Sequence, residues 1–347
     1  MGVMPQFPIV VLGASAGGVG PLGQVVAALP PEFPGAVFVV LHIPPYSSSQ
    51  LPHILSGAGP LPAAHPEDGE PIRPGRIYVA PPDHHLLVEG QRVGVKNGPK
   101  ENRFRPSVDA LFRSAAYTCG AGVIGVVLSG LLDDGTSGLW TVKRRGGVAV
   151  VQDPADAEFG AMPRSALDHV EVDHSLPAAG IGALLARLVG ERAAPGREVA
   201  MSEDETRQLA VEVQIASGAH ALTLGVTGLG QPSPFSCPEC HGVLYALRDG
   251  AATRFRCHTG HAYTLDALLT EVAEDIEAKL YQTQRAMEEG ALLLRRMEER
   301  AAQAGDAGDA ARLRGKAGQM EHQSRLLQRL TQQAVQSRLS DALPRPD

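Results

Sequence analysis

Between residues 8 and 180, short unbroken aliphatic runs alternate with stretches of helical patterning. The runs PIVVLG (8–13), AVFVVLH (36–42), RIYVAP (76–81), GVIGVVLSG (122–130) and GVAVVQD (147–153) predict strands. A strand with one wet face alternates apolar and polar residues, whereas these runs do not, so they suit parallel strands covered on both faces. Between them, GPLGQVVAALP and SVDALFRSAAYTCG predict helices, the first with a proline near its start and the second opening on Ser107 as a cap. Alternating strands and helices imply right-handed crossovers and an α/β fold, an open, mainly parallel sheet with flanking helices, here expected over residues 1–190.

The texture then changes. The polar stretch VGERAAPGREVAMSEDETRQ begins an expected linker over 191–235, whose later part carries no clear pattern and ends in the turn-rich GLGQPSPFS. A compact Cys/His module is expected over 236–263. From 264 to 347 the chain is rich in Glu, Arg, Gln and Ala. Its apolar positions Val272, Ile276, Leu280, Met287, Leu294 and Met297, then Leu313, Met320, Leu327 and Leu330, are separated by AGDAGDA (304–310). That spacing predicts a helical hairpin or coiled-coil tail capped at Thr264. Two roles stay open for it, a solvated tail or a homo-oligomer contact.

Composition narrows the classes. A formal net charge of −7 over 347 residues argues against a nucleic-acid binder, which needs a basic face. No apolar run approaches the roughly 20 residues of a membrane-spanning helix. The opening MGVMPQF has no basic stretch followed by an apolar segment, so no signal peptide is expected. Four cysteines, three of them late in the chain, suit a reduced, cytoplasmic protein.

The candidate chemistry starts after the first strand. Gly13-Ala14-Ser15-Ala16-Gly17 matches G-x-S-x-G, a tight strand-to-helix turn that lifts a serine hydroxyl out of a sheet. Overlapping it, Gly18 to Gly23 matches the dinucleotide pattern G-x-G-x-x-G. The latter should begin at the strand's end and needs a carboxylate after the second strand to hold ribose hydroxyls. The second strand ends instead in His42, the residue a serine nucleophile needs as its base. A carboxylate to orient that histidine is offered by LSGLLDDGTSG, which places Asp133 and Asp134 in the loop after a later strand. The order Ser, His, Asp differs from that of the α/β-hydrolases and argues against that fold, not against a triad.

These residues, with EDGEPIRPGRIYVAPPDHHLLV, NRFRPSVDALF and FGAMPRSAL, resemble the chemotaxis protein-glutamate methylesterases over about residues 8–188. The resemblance implies Ser15 as nucleophile, His42 as general base and Asp134, rather than Asp133, as the orienting carboxylate. It also sets Ala16 and Leu131 beside the reacting carbonyl, with backbone N–H groups of their loops as oxyanion donors. The implied reaction is hydrolysis of glutamate γ-methyl esters on a methylated chemoreceptor or receptor-like protein, releasing methanol, with glutamine deamidation by the same acyl chemistry. No cofactor is implied for catalysis. Arg103, Arg105 and Arg164 lie in similar motifs, facing an acidic receptor surface or serving structure. Members typically carry an N-terminal receiver domain; with the first strand near residue 8, none is expected here. The alternative function is a signalling scaffold that keeps the fold and binds partners through its C-terminal modules.

In the C-terminal module, Cys237 and Cys240 are followed after sixteen residues by Cys257 and then His261, spacing that suits a structural Zn²⁺. The intervening GVLYALRDGAATRFRC predicts a hairpin turning at Asp249-Gly250, as in a zinc ribbon. His261 is preferred over His258, because adjacent side chains on an extended strand point apart; His241 has the same handicap beside Cys240. The segment also resembles C-terminal extensions of some receiver-less members of the family. Cys119 is expected in the core.

Overall fold

The computed structural model describes residues 4–191, 201–250 and 252–342. The first half runs β1 (Ile9–Ala14), α1 (Val19–Ala27), β2 (Ala36–Leu41), α2 (Leu51–Ala58), β3 (Ala63–Ala64), β4 (Ile77–Val79), β5 (His85–Glu89) and β6 (Arg92–Lys96). It continues with α3 (Val108–Cys119), β7 (Val123–Val127), α4 (Thr136–Arg144), β8 (Val148–Gln152), α5 (Ala161–His169), β9 (His174–Leu176) and α6 (Ala178–Glu191). Seven strands form one sheet in the order β3-β4-β2-β1-β7-β8-β9, and every pairing in it is parallel. One face is covered by Leu22, Val25 and Val26 of α1 with Ile181 and Leu185 of α6. The other is covered by Leu111 and Phe112 of α3, Leu139 of α4 and Met162 of α5. The uninterrupted aliphatic runs are thus strands buried on both sides. The antiparallel hairpin β5–β6 stands outside this sheet and was not expected from the sequence.

Residues 192–200, the start of the expected linker, lie outside the described residues. The rest of that span is structured. Helix α7 (Glu203–Ala216) opens with a full capping box, in which Ser202 Oγ accepts from the Glu205 N–H and Glu205 returns the contact. Its Val211 and Ile215 are buried. Strand β10 (Gln231–Ser236) then pairs with β11 (Val243–Asp249), followed by β12 (Ala252–Cys257) and β13 (Ala262–Thr264), giving a four-stranded antiparallel ribbon that begins before residue 236. The β11–β12 hairpin turns where the Asp-Gly pair predicted, with Gly250 at φ +60°.

Charges bind this ribbon and α7 to the α/β domain. Arg254 makes two hydrogen bonds to the Glu212 carboxylate, both 2.9 Å, and a further one to Asp249. Arg256 donates to Glu212 (3.1 Å) and to Glu101 (2.8 Å), and Glu101 also accepts from Arg113. All six side chains are buried. Three guanidinium groups against three carboxylates leave no net buried charge, the condition under which such a cluster survives desolvation. Burial pushes Arg113 down to about 9, still charged at neutral pH. Burial alone would raise Glu212, but Arg254, Arg113 and Arg256 hold it well below the usual carboxylate range.

Beyond Leu268 the chain forms a separate unit, containing most of α8 (Leu265–Gln303) and all of α9 (Ala307–Ala342). Thr264 Oγ1 accepts from the Ala267 N–H, as expected of a cap. Gly305, at φ +81°, lies in the short connection between the helices. The helix seam uses small residues more than the expected apolar series. Ala291, Ala310, Leu313 and Ala317 are buried, whereas Val272, Ile276, Met297 and Leu330 are exposed. Small residues let the backbones approach closely, and ion pairs such as Arg295–Glu321 (3.0 Å) flank the seam. Among the described residues, no helix is long and apolar enough to cross a membrane.

Candidate active site

Ser15 follows β1, His42 follows β2, and Asp134 lies in the loop after β7. These are three adjacent strands in the sheet, so all three residues emerge at one carboxyl edge, where sites of open α/β sheets form. His42 Nδ1 lies 3.1 Å from Ser15 Oγ, and its Nε2 lies 2.7 Å from Asp134 Oδ2. An ionised carboxylate only accepts, so Nε2 carries the proton and Nδ1 is free to accept from the serine. The ring edges are reversed relative to the protease template, in which Nε2 faces the serine. Phe104 stacks on the imidazole at 3.8 Å between centroids, 12° from parallel.

The turn at Ser15 differs from the strained elbow its sequence matched. Among the described residues, the positive φ of this turn falls on Gly17 (+67°) and not on Ser15. Closeness, rather than strain at the serine, sets the demand for small neighbours. A Cβ on Gly130 would lie 2.9 Å from the Ser15 Cβ and 2.0 Å from the Met162 sulfur. Ser15 N donates to the Ser129 carbonyl, tying the serine turn to the loop that carries Asp134. Ala16 flanks Ser15, and Leu131 is an exposed residue of that neighbouring loop. Their N–H groups find no acceptor among the described residues.

Asp134 is 2% exposed and its two oxygens accept five hydrogen bonds. Oδ2 takes His42 Nε2 and the Val108 N–H (2.7 Å). Oδ1 takes Asn102 Nδ2 (2.8 Å), Ser107 Oγ (3.0 Å) and the Asp109 N–H (3.2 Å). Ser107 does sit at the N-cap of α3, but its hydroxyl donates to Asp134 instead of capping the helix. The Asp134 carboxylate is itself the cap, accepting from the Val108 and Asp109 N–H groups at the positive end of the helix dipole. Burial alone would raise its pKa; the contact with His42, then those with Asn102 and Val108, hold it below the ordinary carboxylate range. Asp133, its neighbour, points elsewhere. It accepts from Thr264 Oγ1 (2.7 Å), and burial pushes its pKa up to about 6.

Further support lies beneath. Asp109 Oδ1 accepts from the Gly135 and Gly138 N–H groups (3.1 and 2.6 Å), fixing the turn that presents Asp134. Burial pushes His85 down to about 4, so it is neutral. Its Nε2 donates to the Pro99 carbonyl, leaving Nδ1 to accept from the Ser107 N–H. Asn102, Phe104, Ser107 and Asp109 were not singled out from the sequence as site residues, although all lie in the ENRFRPSVD stretch. Of the arginines there, Arg105 is engaged by Asp83 (2.7 Å) and the Gly98 carbonyl (2.6 Å), a structural role. Arg164 is exposed.

In the ribbon, Cys237, Cys240, Cys257 and His261 bring their ligand atoms within 4.8 Å of one another. Cys240 and Cys257 sulfurs are 3.6 Å apart, and His261 Nδ1 lies 3.7 and 3.6 Å from the sulfurs of Cys237 and Cys257. A tetrahedron with metal–sulfur bonds of about 2.3 Å has edges of about 3.8 Å, so this cluster can hold a metal ion. Four protein ligands would leave no open position on such an ion for a reacting water. Neither His241 nor His258 belongs to the cluster. Cys119 is partly buried against the core, where burial pushes its thiol up to about 12.

A parallel, doubly covered sheet with a Ser–His–Asp array at its carboxyl edge defines an α/β protein built as hydrolases are. The particular family is shown by comparison. The CheB methylesterase family matches residues 10–185, and the chain belongs to that family. A Leptospira interrogans protein is 38% identical over 184 residues, covering 53% of this chain and 95% of that relative. A protein-glutamate methylesterase/protein-glutamine glutaminase of Anaeromyxobacter dehalogenans is 39% identical over 187 residues, covering 53% of this chain and 52% of its own length. The crystal structure of the Thermotoga maritima CheB methylesterase catalytic domain superimposes with a TM-score of 0.51 at 35% identity, covering 53% of this chain and 99% of that one.

Proposed function

We propose that this protein is a serine hydrolase that demethylates glutamate γ-methyl esters on a chemoreceptor-like protein. The observation that carries the reading is the hydrogen-bonded line from Ser15 through His42 to Asp134, inside the segment shared with the methylesterase family. Ser15 Oγ attacks the ester carbonyl while His42 Nδ1 takes its proton, and Asp134 stabilises the imidazolium. The N–H groups of Ala16 and Leu131 receive the developing oxyanion. Collapse expels methanol with the proton from His42, leaving an acyl-serine. A water deprotonated by His42 then releases the glutamate carboxylate and restores Ser15. With a glutamine side chain, ammonia leaves in place of methanol, which gives the deamidation that relatives' names include.

Zn²⁺ in the Cys/His cluster is structural in this reading, and the chain acts in the cytoplasm, whose reducing conditions suit its free cysteines. The α8–α9 hairpin is proposed as a self-association element. The array's intact geometry supports an enzyme over a scaffold, which has no use for a hydrogen-bonded serine. The test is methanol release from a methylated receptor cytoplasmic domain. Release that disappears in Ser15→Ala is expected; equal release from both proteins would refute the nucleophile.

A further inference from the structure

Strand β13 of the ribbon runs alongside residues 100–102 of the α/β domain. The Ala262 N–H donates to the Lys100 carbonyl (3.2 Å), and the Asn102 N–H donates to the Ala262 carbonyl (2.8 Å). The Thr264 N–H then donates to Asn102 Oδ1 (2.9 Å). With that oxygen held by the ribbon, the Asn102 amide has one orientation left. Its Nδ2 gives one proton to Asp134 Oδ1 and the other to Asp109 Oδ2, both at 2.8 Å. Every polar atom of this buried side chain is therefore used. Asn102 also holds φ +49°, a region asparagine tolerates better than most residues.

The other end of this bridge is the Cys/His cluster. Ala262 follows His261 directly, and the Cys257 N–H donates to the His261 carbonyl (3.0 Å). Arg256, beside Cys257, donates to the Gly260 carbonyl (2.7 Å) as well as to Glu101. These contacts fix where β13 begins, and a metal held by Cys257 and His261 would close the same turn. From His261, Ala262–Thr264 reaches the Asp134 carboxylate through the Asn102 side chain, while Thr264 Oγ1 separately donates to the adjacent Asp133.

We propose that Asn102 is a positioning residue for the triad carboxylate, and that β13, anchored by the Cys/His cluster, holds it in place, so that the ribbon completes the esterase site. This rests on the triad reading above. Asn102 is the one donor to Asp134 Oδ1 that does not come from the start of α3. Without it the carboxylate keeps its contacts to Ser107 and Asp109 but loses the one that the ribbon holds. A hydrogen bond to a charged group is worth a factor of about 10 to 100. Because Asp134 keeps four of five donors, the lower end applies, about tenfold in the reactivity of Ser15.

The experiment uses the full chain, zinc-loaded and chelated, as wild type and as Asn102→Gly, which removes the amide while accepting the positive φ. Two readouts avoid any methylated substrate. One is the rate of Ser15 labelling by a small fluorophosphonate; the other is the low-field imidazole proton resonance of the His42–Asp134 hydrogen bond. Metal content and near-UV circular dichroism report loading and folding. Asn102→Gly and chelation are each expected to slow labelling about tenfold and shift the resonance, with no further change when combined. Arg144→Ala, which breaks the separate contact of α4 with Glu205 on α7, is expected to change neither readout. Wild-type labelling and resonance in folded Asn102→Gly overturn the proposal, as do effects of chelation and substitution that multiply. Should Asn102→Gly not fold, an unmoved resonance in chelated wild type overturns it alone. A missing methanol signal with labelling intact counts against the methyl-ester substrate, not against this coupling.

Discussion

Asp134→Asn is the most informative single change, because the five donors around the carboxylate make its consequence calculable. Asparagine offers one oxygen where aspartate offers two, so its NH₂ must face donors on one side. On the Oδ1 side it would meet Asn102, Ser107 and the Asp109 N–H; on the Oδ2 side, His42 and the Val108 N–H. The second arrangement has fewer conflicts, and His42 can relieve one by moving its proton to Nδ1. That tautomer cannot accept the Ser15 proton. The same tautomer failure lowers turnover about 10⁴-fold in the serine proteases, equivalent to about 5 kcal/mol of transition-state stabilisation. The Val108 N–H is left without an acceptor at a cost of about 1–3 kcal/mol, or several degrees of melting temperature for a unit this size. Methanol release with a parallel thermal melt measures both. The adjacent Asp133→Asn supplies the contrast, since it keeps the acceptor for Thr264 and touches no triad atom. Equal loss of turnover in the two variants, or near-wild-type turnover in Asp134→Asn, would refute the assignment.

Asp133 makes a prediction of its own. Burial lifts its pKa to about 6, so the native state favours the protonated form. That contribution is present below the unfolded value near 4 and is lost as pH rises through 6. Asp133→Asn should therefore raise the melting temperature at pH 8 by a few degrees, about 1–2 kcal/mol after allowance for partial exposure, and change little at pH 4; a thermal series across pH checks it. Glu212→Ala strands Arg254 and Arg256 without their shared carboxylate and is expected to cost about 3–5 kcal/mol, roughly 10 °C by calorimetry. Phe104→Ala removes the ring stacked on His42 and should slow fluorophosphonate labelling of Ser15 by about 3- to 10-fold, from an aromatic contact worth about 0.5–1.5 kcal/mol. Chelation should release one metal equivalent and lower the melting temperature of the wild type, and Cys237→Ala should reproduce that loss without chelator, read by metal analysis and calorimetry.

The sequence by itself pointed to the parallel sheet, because five aliphatic runs without alternation suit strands covered on both faces. It also determined the chemistry of the strand ends: a serine in a small-residue turn, a histidine and a loop carboxylate each follow a run. The cysteine spacing and the Asp-Gly turn made the ribbon legible. What it could not contain is strand order. Only the tertiary structure sets β2, β1 and β7 side by side, and without that adjacency Ser15, His42 and Asp134 have no reason to meet. The same limit hid α7 and the buried charges. Glu212, Arg254 and Arg256 carry no local sign of burial, because Glu212 lies 42 and 44 residues from the arginines it pairs with. It hid Asn102 for a related reason. Its role lies in accepting from Thr264 and donating to Asp134, contacts 162 and 32 residues away along the chain. Patterns with a short period are written locally and can be read; a hydrogen-bond network that closes between distant segments exists only once the chain has folded.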